Sequence, residues 1–61
     1  MWIKAENGMY LFELYGVVFL TWVTERDRKH AAVFPAETID QWLATLSQMA
    51  GMKLEAVEVG A

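Results

Sequence analysis

The chain has 61 residues, no cysteine, a single histidine, 56% hydrophobic residues and a formal net charge of -3. A chain this short forms at most one domain with a marginal core, and it has neither the cysteines nor the histidines for a disulfide or zinc framework. The slightly acidic balance disfavours a general nucleic-acid binder, because such domains are usually basic. We therefore expect no cofactor, and we expect assembly, with another protein or with a second copy, to supply the missing stability.

The longest apolar stretch, 9–23, does not predict a membrane span. Glu13 interrupts it, Gly16 divides it, and it is shorter than the roughly 20 residues that a spanning helix needs. Residues 1–6 lack the basic start and apolar middle of a secretory signal. We expect a cytoplasmic protein.

The first half of the chain predicts three antiparallel strands. Residues 2–6 and 9–14 flank Asn7-Gly8, a dipeptide typical of a type I′ turn, which indicates a β-hairpin. After Gly16, the β-branched and aromatic residues of 17–23 favour a third strand.

A charged corner follows. Thr24 and Asp27 have the spacing of a shortened capping pair, which predicts a turn or one short helical turn reaching about Ala32.

An amphipathic helix is predicted over 36–50. Pro35 stands at its start, Glu37 and Asp40 occupy its first turns, and Gly51 supplies a left-handed C-cap. Apolar residues recur at intervals of three and four: Ile39, Trp42, Leu43, Leu46, Met49 and Ala50.

The last segment, 52–59, predicts a fourth strand whose apolar alternation changes phase. Met52, Leu54 and Ala56 share one face, and Val57 and Val59 share the other, so we expect a bulge near Glu55-Ala56. The predicted fold is α+β, a single domain over 1–61 with the order β-β-β-α-β and the helix on one face of the sheet.

Strands two and three carry apolar side chains on both faces, whereas one helix covers only one face. Three alternatives account for the second face: the 24–35 segment wraps over it, a second copy covers it as a homodimer, or a different protein docks there. Aromatic residues are enriched at interface centres, and an acidic patch can recognise a basic surface. The residues predicted to bind a partner are Trp2, Tyr10, Tyr15, Trp22, Glu37 and Asp40.

The sequence offers no catalytic, cofactor or metal site that we can name. His30 has Asp27 three residues before it, but a domain this small has little room for a substrate pocket, and one histidine is too few for zinc. The glycines are isolated, which disfavours a phosphate loop. Arg26, Arg28 and Lys29 leave a minor nucleic-acid-binding role as an alternative.

A spaced pattern at the corner, Thr24, Asp27, Ala31 and Phe34, resembles the "T-x-x-D…A-x-x-F" corner of small open reading frames of bacteriophages and prophages. In those proteins two strands precede the corner, and an amphipathic helix and a last strand follow it. The group includes anti-CRISPR proteins, which bind a host protein and block its site. The resemblance implies a non-enzymatic binder in the host cytoplasm, an inhibitor of a host defence complex, with Ala31 and Phe34 packed under the helix. The alternative is a self-assembling structural protein.

Overall fold

A computed structural model describes residues 1–15 and 19–60, with the backbone alone for residues 14, 15 and 19. It confirms the predicted α+β fold and its β-β-β-α-β order, with a short 3-10 helix added at the corner. The elements are β1 (Trp2–Ala5), β2 (Tyr10–Tyr15), β3 (Phe19–Val23), the 3-10 helix (Glu25–His30), α1 (Ile39–Ala50) and β4 (Leu54–Val57).

The four strands form one antiparallel sheet in the order β3-β2-β1-β4. β1 and β2 are therefore the central strands, and β3 and β4 are the edges. The predicted start of the third strand at 17 and 18 lies outside the described residues.

The predicted hairpin between β1 and β2 is confirmed, but the predicted type I′ turn is wrong. A type I′ turn requires a positive φ at both Asn7 and Gly8. Gly8 has a φ of 88°, but no described residue other than glycine has a positive φ, so Asn7 does not meet this requirement. The Gly8 N–H donates to the Ala5 carbonyl at 2.9 Å, and the Asn7 side-chain oxygen accepts from the Met9 N–H at 3.0 Å. This is the three-residue loop in which a type I turn is followed by a left-handed glycine.

A bulge interrupts β2. Leu11 pairs with Trp22 and the next pair is Glu13 with Thr21, so Phe12 is the extra residue. The Thr21 hydroxyl accepts from the Glu13 N–H at 3.1 Å and donates to the Glu13 carbonyl at 3.3 Å, which satisfies backbone groups where the ladder is disrupted. The bulge reverses the alternation of side chains along β2, so Leu11 and Glu13 do not share a face as a regular strand would require.

The bulge predicted in the last strand, near Glu55-Ala56, is wrong. β4 pairs with β1 in an unbroken register from Trp2–Val57 to Ala5–Leu54. The change of apolar phase has another cause: Ala56 packs on one side of the sheet and Val57 on the other, and both sides have an apolar cluster to receive them.

Helix α1 begins at Ile39, three residues later than predicted, and ends at Ala50 as predicted. The Thr38 N–H donates to the Pro35 carbonyl at 3.3 Å, so a separate turn precedes the helix and Glu37 lies in it. Gly51 has a φ of 68° and is the left-handed C-cap that the sequence predicts.

The main core, which we call the helix-side cluster, lies between α1 and one face of the sheet. Leu46 from the helix and Ile3 and Leu11 from the central strands are its most completely buried side chains. Its buried members are Ile3, Ala5, Leu11, Phe34, Ile39, Leu46 and Leu54.

The segment 31–34 is hydrogen-bonded to β2 and to the residue before β1, at the place where the direct pairing of these two central strands stops. β1 and β2 pair at Lys4 and Tyr10. Beyond that pair, the Leu11 carbonyl accepts from the Ala32 N–H at 3.0 Å, and Met1 and Phe34 exchange two backbone bonds of 2.8 and 2.6 Å. The segment is therefore hydrogen-bonded like a short strand, although none of its residues is assigned to a strand.

The two ends of this segment face different clusters. Phe34 packs into the helix-side cluster, as expected. Ala31, which was expected under the helix, instead packs against Trp2 and Tyr10 on the opposite face of the sheet. We call that second group the tryptophan cluster: Trp2, Tyr10 and Ala31, with Val23 and Val57 at its edge.

The charged corner forms the predicted helical turn as a 3-10 helix. The Asp27 N–H donates to the Thr24 carbonyl at 3.0 Å, and the Thr24 hydroxyl contacts the Asp27 carboxylate at 3.4 Å. The Arg28 guanidinium donates to the Glu25 carbonyl at 2.9 Å. The corner side chains are thus partly engaged with their own backbone.

Truncating the helix-side cluster should destabilise the fold far more than truncating the neighbouring solvent-facing residue. We expect Leu46→Ala to lower the free energy of unfolding by about 2–5 kcal/mol, because it leaves a cavity between helix and sheet. Thr45→Ala, one residue away and exposed, should change it by less than about 0.5 kcal/mol. Urea unfolding followed by circular dichroism measures both, and equal effects would contradict the assigned helix orientation.

Candidate protein interface

The sheet face opposite α1 is covered where Trp2 and Tyr10 lie. Their rings meet edge to face, with centroids 5.7 Å apart and an interplanar angle of 82°. Ala31 packs against them, and the Lys4 ammonium lies 5.7 Å from the centre of the Tyr10 ring, in range for a cation–π contact. The chain after the 3-10 helix thus covers this part of the second face, as the first of the three alternatives expects.

The predicted aromatic anchors are placed as follows. Trp2 and Tyr10 are only 4% and 3% exposed, so neither presents surface to a partner in this conformation. Trp22 is half-buried and packs against the helix-side cluster. The side chain of Tyr15 lies outside the described part of the chain. The structure therefore brings Trp2 and Tyr10 together, but as packing.

The predicted acidic pair is exposed at the start of α1. Asp40 lies in the first turn of the helix, where a carboxylate is favoured by the helix dipole, and Glu37 lies in the preceding turn. The two carboxylates lie at the N-terminal end of the helix and do not form a continuous acidic face along it.

The outer face of α1 is exposed and uncharged. We give this name to the exposed residues that follow Asp40 on the helix: Gln41, Trp42, Ala44, Thr45 and Gln48. Asp40 is the one charged residue among the twelve of α1. Surface helices usually carry charged residues on the solvent side, whereas depletion of charge and enrichment of aromatic residues mark interface cores.

Trp42 is the large aromatic residue of this face. It is 39% exposed, and its ring packs against Phe34 with the centroids 5.3 Å apart and an interplanar angle of 57°. Beside it lies a shallow groove of about 300 Å³ lined by Thr38, Gln41, Trp42 and Thr45. Phe34 therefore supports one side of the indole while the other side is open to a partner.

The sequence analysis placed Trp42 in the apolar stripe of the helix and did not name it as a partner-binding residue. The stripe is wider than the surface that the sheet covers. Successive residues are separated by about 100° around a helix, so Trp42 lies at the margin of a stripe centred near Leu43 and Leu46. The absence of charge on the neighbouring outer positions is the signal that could have identified it.

A second, smaller cleft of about 170 Å³ lies where β1 ends and β4 begins. It is lined by Lys4, Ala5, Glu6, Lys53, Leu54 and Glu55. Its volume is below the range of typical small-molecule sites, and charged side chains on an edge strand usually prevent pairing with other strands. We assign this cleft no ligand.

The polar residues of the 3-10 helix do not converge on a pocket in the described structure. His30, Arg26 and Lys29 are exposed, and Arg28 is half-buried with its guanidinium on the Glu25 carbonyl. Within residues 1–15 and 19–60, no three His, Cys, Asp or Glu side chains are grouped closely enough to hold a metal ion.

Compared with protein-family models, curated proteins and solved structures, the chain matches none of them. Among the helices described, none combines the length and the apolar composition needed to cross a membrane.

Exposure of the three tryptophans should differ in solution as it does in the structure. Because Trp42 is the most exposed of them, we expect Trp42→Phe to remove most of the fluorescence that iodide quenches. Trp2→Phe should leave the intensity that iodide quenches almost unchanged. The reverse ranking would show that Trp2, and not Trp42, lies at the surface.

Trp22 and Trp42 should also differ in their contribution to stability. Trp22→Ala removes a ring that packs on the helix-side cluster, and we expect it to lower the free energy of unfolding by about 2–4 kcal/mol. Trp42→Ala loses mainly the contact with Phe34, and we expect a loss of about 1 kcal/mol. Thermal or urea unfolding compares them directly, and a negligible loss for Trp22→Ala would place its side chain outside the core.

Proposed function

We propose that this chain is a non-enzymatic protein-binding module and that the outer face of α1 is its binding surface. The observation that carries the proposal is the combination of an uncharged, exposed helix face with a tryptophan held in place by Phe34. The acidic residues Glu37 and Asp40 border the face at one end, where they favour a partner with a basic rim.

The charge distribution supports the choice of this face. The chain has 5 Lys or Arg and 8 Asp or Glu residues, so charge is available for a solvent-exposed helix. Yet α1 carries Asp40 alone, and the exposed positions from Gln41 to Gln48 carry uncharged side chains. Binding this surface requires little desolvation of charge, which is one of the costs that oppose association.

The free energy available from Trp42 is of the size that an interface needs. A tryptophan side chain offers about 250 Å², and 39% of it is exposed. Covering this exposed part would contribute a free energy of about 2.5 kcal/mol, at about 25 cal/mol per Å². This is in the range of a hot-spot residue, and the contact with Phe34 reduces the entropy that the side chain loses on binding.

The finer form of the proposal is that the module is phage-encoded and inhibits a host defence complex. Its support is the resemblance of the Thr24, Asp27, Ala31 and Phe34 corner to small phage proteins, together with the small size of the chain. A module without a nameable catalytic group acts by occupying a surface that its partner needs.

A nucleic-acid role ranks lower. RNA-binding sheets stack bases on exposed aromatic rings, whereas Trp2 and Tyr10 are buried here. The cations Arg26, Arg28 and Lys29 are the groups on which such a role would depend, and its binding would weaken steeply with salt.

Substituting Trp42 should weaken partner binding without unfolding the protein. The immobilised wild-type chain is expected to retain a stoichiometric partner from bacterial lysate, identified by mass spectrometry. Trp42→Ala should weaken that complex by about 30-fold, which corresponds to about 2 kcal/mol. Val59→Ala is the matched control, because Val59 is an exposed apolar residue (53%) outside α1.

Two results would contradict the proposed function. One is the absence of any stoichiometric partner for the wild type. The other is a partner that Trp42→Ala, shown to be folded by circular dichroism, retains as well as the wild type does. If a partner is captured, adding the chain in equimolar amount should inhibit that partner's activity, and an unchanged activity would end the inhibitor form of the proposal.

A further inference from the structure

We propose that residues 24–31 form a strap that closes over Trp2 and Tyr10 and opens while the rest of the fold stays intact. The structure shows the closed form, in which both rings are buried. The strap lies on the sheet face opposite α1, so the inference does not depend on the outer face of the helix. Two observations carry it: an unsatisfied buried donor in the tryptophan cluster, and the way in which the strap is attached to the sheet.

The unsatisfied donor is the indole N–H of Trp2. Its nitrogen is closed off from solvent, and within residues 1–15 and 19–60 no atom accepts a hydrogen bond from it. Buried donors are nearly always paired, because a donor that loses water without gaining an acceptor raises the free energy of the conformation. The closed form therefore has a cost that is absent from an open form in which water reaches the indole.

The Tyr10 ring is a poor substitute for the missing acceptor. The rings of Trp2 and Tyr10 meet at 82°, and an aromatic face can accept a weak bond from an N–H. The Lys4 ammonium, however, lies 5.7 Å from the centre of the same Tyr10 ring. A cation over the ring draws on the electron density that an N–H needs. The contact with Tyr10 thus offsets little of the cost of burying the indole N–H.

The hydrogen bonds of the strap are internal. The Asp27 N–H donates to the Thr24 carbonyl at 3.0 Å, and the Ala31 N–H donates to the Arg28 carbonyl at 2.9 Å. The side-chain bonds of the strap also stay within it. In the described part of the chain, the first bond to the sheet is made by Ala32, the residue after the strap. The strap is therefore a self-contained unit that is tethered at its two ends.

Packing holds the strap by one small side chain. No side chain of the 3-10 helix is buried, and Ala31 is the one buried residue of the strap. Its methyl group packs against the tryptophan cluster. The charged groups of the 3-10 helix are solvated in the closed form and stay solvated on opening. The main cost of opening is the exposure of the two rings, and release of the indole N–H opposes that cost.

The strap begins and ends at residues with extended backbone. Thr24 has φ and ψ angles of -73° and 166°, and Ala31 has angles of -65° and 154°. The extended region of backbone conformations is broad, so both angles can change there without a steric clash. Held together by its internal bonds, the strap can turn as one unit between these two residues.

Opening returns Trp2 and Tyr10 to the surface, where their aromatic character predicts them. The strap thus controls the exposure of the two residues, and the population of the open form follows from the balance between burying the rings and pairing the indole N–H. A minor open form of this kind is a local opening, distinct from unfolding of the whole domain.

Hydrogen exchange followed by NMR tests whether this local opening occurs. After correction for intrinsic rates, we expect the Trp2 indole N–H to exchange at least about 100-fold faster than the Leu46 amide, which exchanges through global unfolding. Low concentrations of urea should speed the Leu46 amide and hardly affect the indole, because the opening exposes little surface. Equal protection of the two groups, with the same dependence on urea, overturns the inference.

A pair of glycine variants assigns the opening to the strap. Ala31→Gly removes the buried methyl group of the strap and should speed exchange of the Trp2 indole N–H by about 10-fold. Ala36→Gly makes the same change at an exposed position outside the strap, and should leave the indole rate within about 2-fold of the wild type. Equal indole rates in the two variants would show that the ring is released by some other movement and would contradict the strap.

Removing the indole N–H alone tests the other half of the argument. A synthetic chain with β-(3-benzothienyl)alanine in place of Trp2 keeps nearly the same ring shape and has sulfur where the N–H was. Because the closed form then contains no unpaired donor, the midpoint of urea unfolding should shift to a higher concentration. A shift to a lower concentration would mean that the N–H is paired in the closed form, which overturns the inference.

Discussion

The arrangement of this small domain depends on the backbone hydrogen bonds of residues 31–34. Ala32 bonds to the Leu11 carbonyl and Phe34 bonds to Met1, so the segment joins β2 to the start of β1. Because the segment is held like a strand, its side chains alternate between the two sides of the sheet. Ala31 reaches the tryptophan cluster while Phe34 reaches the helix-side cluster. One short segment thus completes two apolar clusters that the helix alone could not cover.

The same segment determines where apolar surface remains exposed. Covering Trp2 and Tyr10 removes the aromatic surface that the strands would otherwise leave open. Phe34, fixed at the other end, supports Trp42 at the margin of α1. Among the aromatic side chains that the structure describes, the most exposed one therefore lies on the helix. This is why the binding surface that we propose differs from the one that strand alternation predicts.

Local chemistry made part of the fold predictable. Gly51 after an apolar stripe identifies the end of α1, and Asn7-Gly8 between two strand patterns identifies the hairpin, because each depends on a few neighbouring residues. The bulge at Phe12 could not be located in this way. It depends on the Thr21 hydroxyl, which meets the Glu13 backbone from the adjacent strand. The burial of Trp2 likewise depends on Ala31, which is distant in sequence. The prediction that Trp2 is an interface anchor used only the aromatic character of Trp2 and was made without that contact.

An uncharged exposed face has a cost for an isolated domain, since charged side chains keep a surface soluble and disfavour association. In this chain the charges are concentrated elsewhere. The 3-10 helix contains three of the five Lys and Arg residues, and Lys53, Glu55 and Glu58 lie in or beside the edge strand β4. Edge strands gain from charge because it prevents pairing with other sheets. Charge thus lies at the β4 edge, where it disfavours pairing with other strands, and is missing from the exposed face of α1 after Asp40. A solubility requirement alone would distribute charge over both surfaces, and the contrast between them is the reason to assign binding to α1.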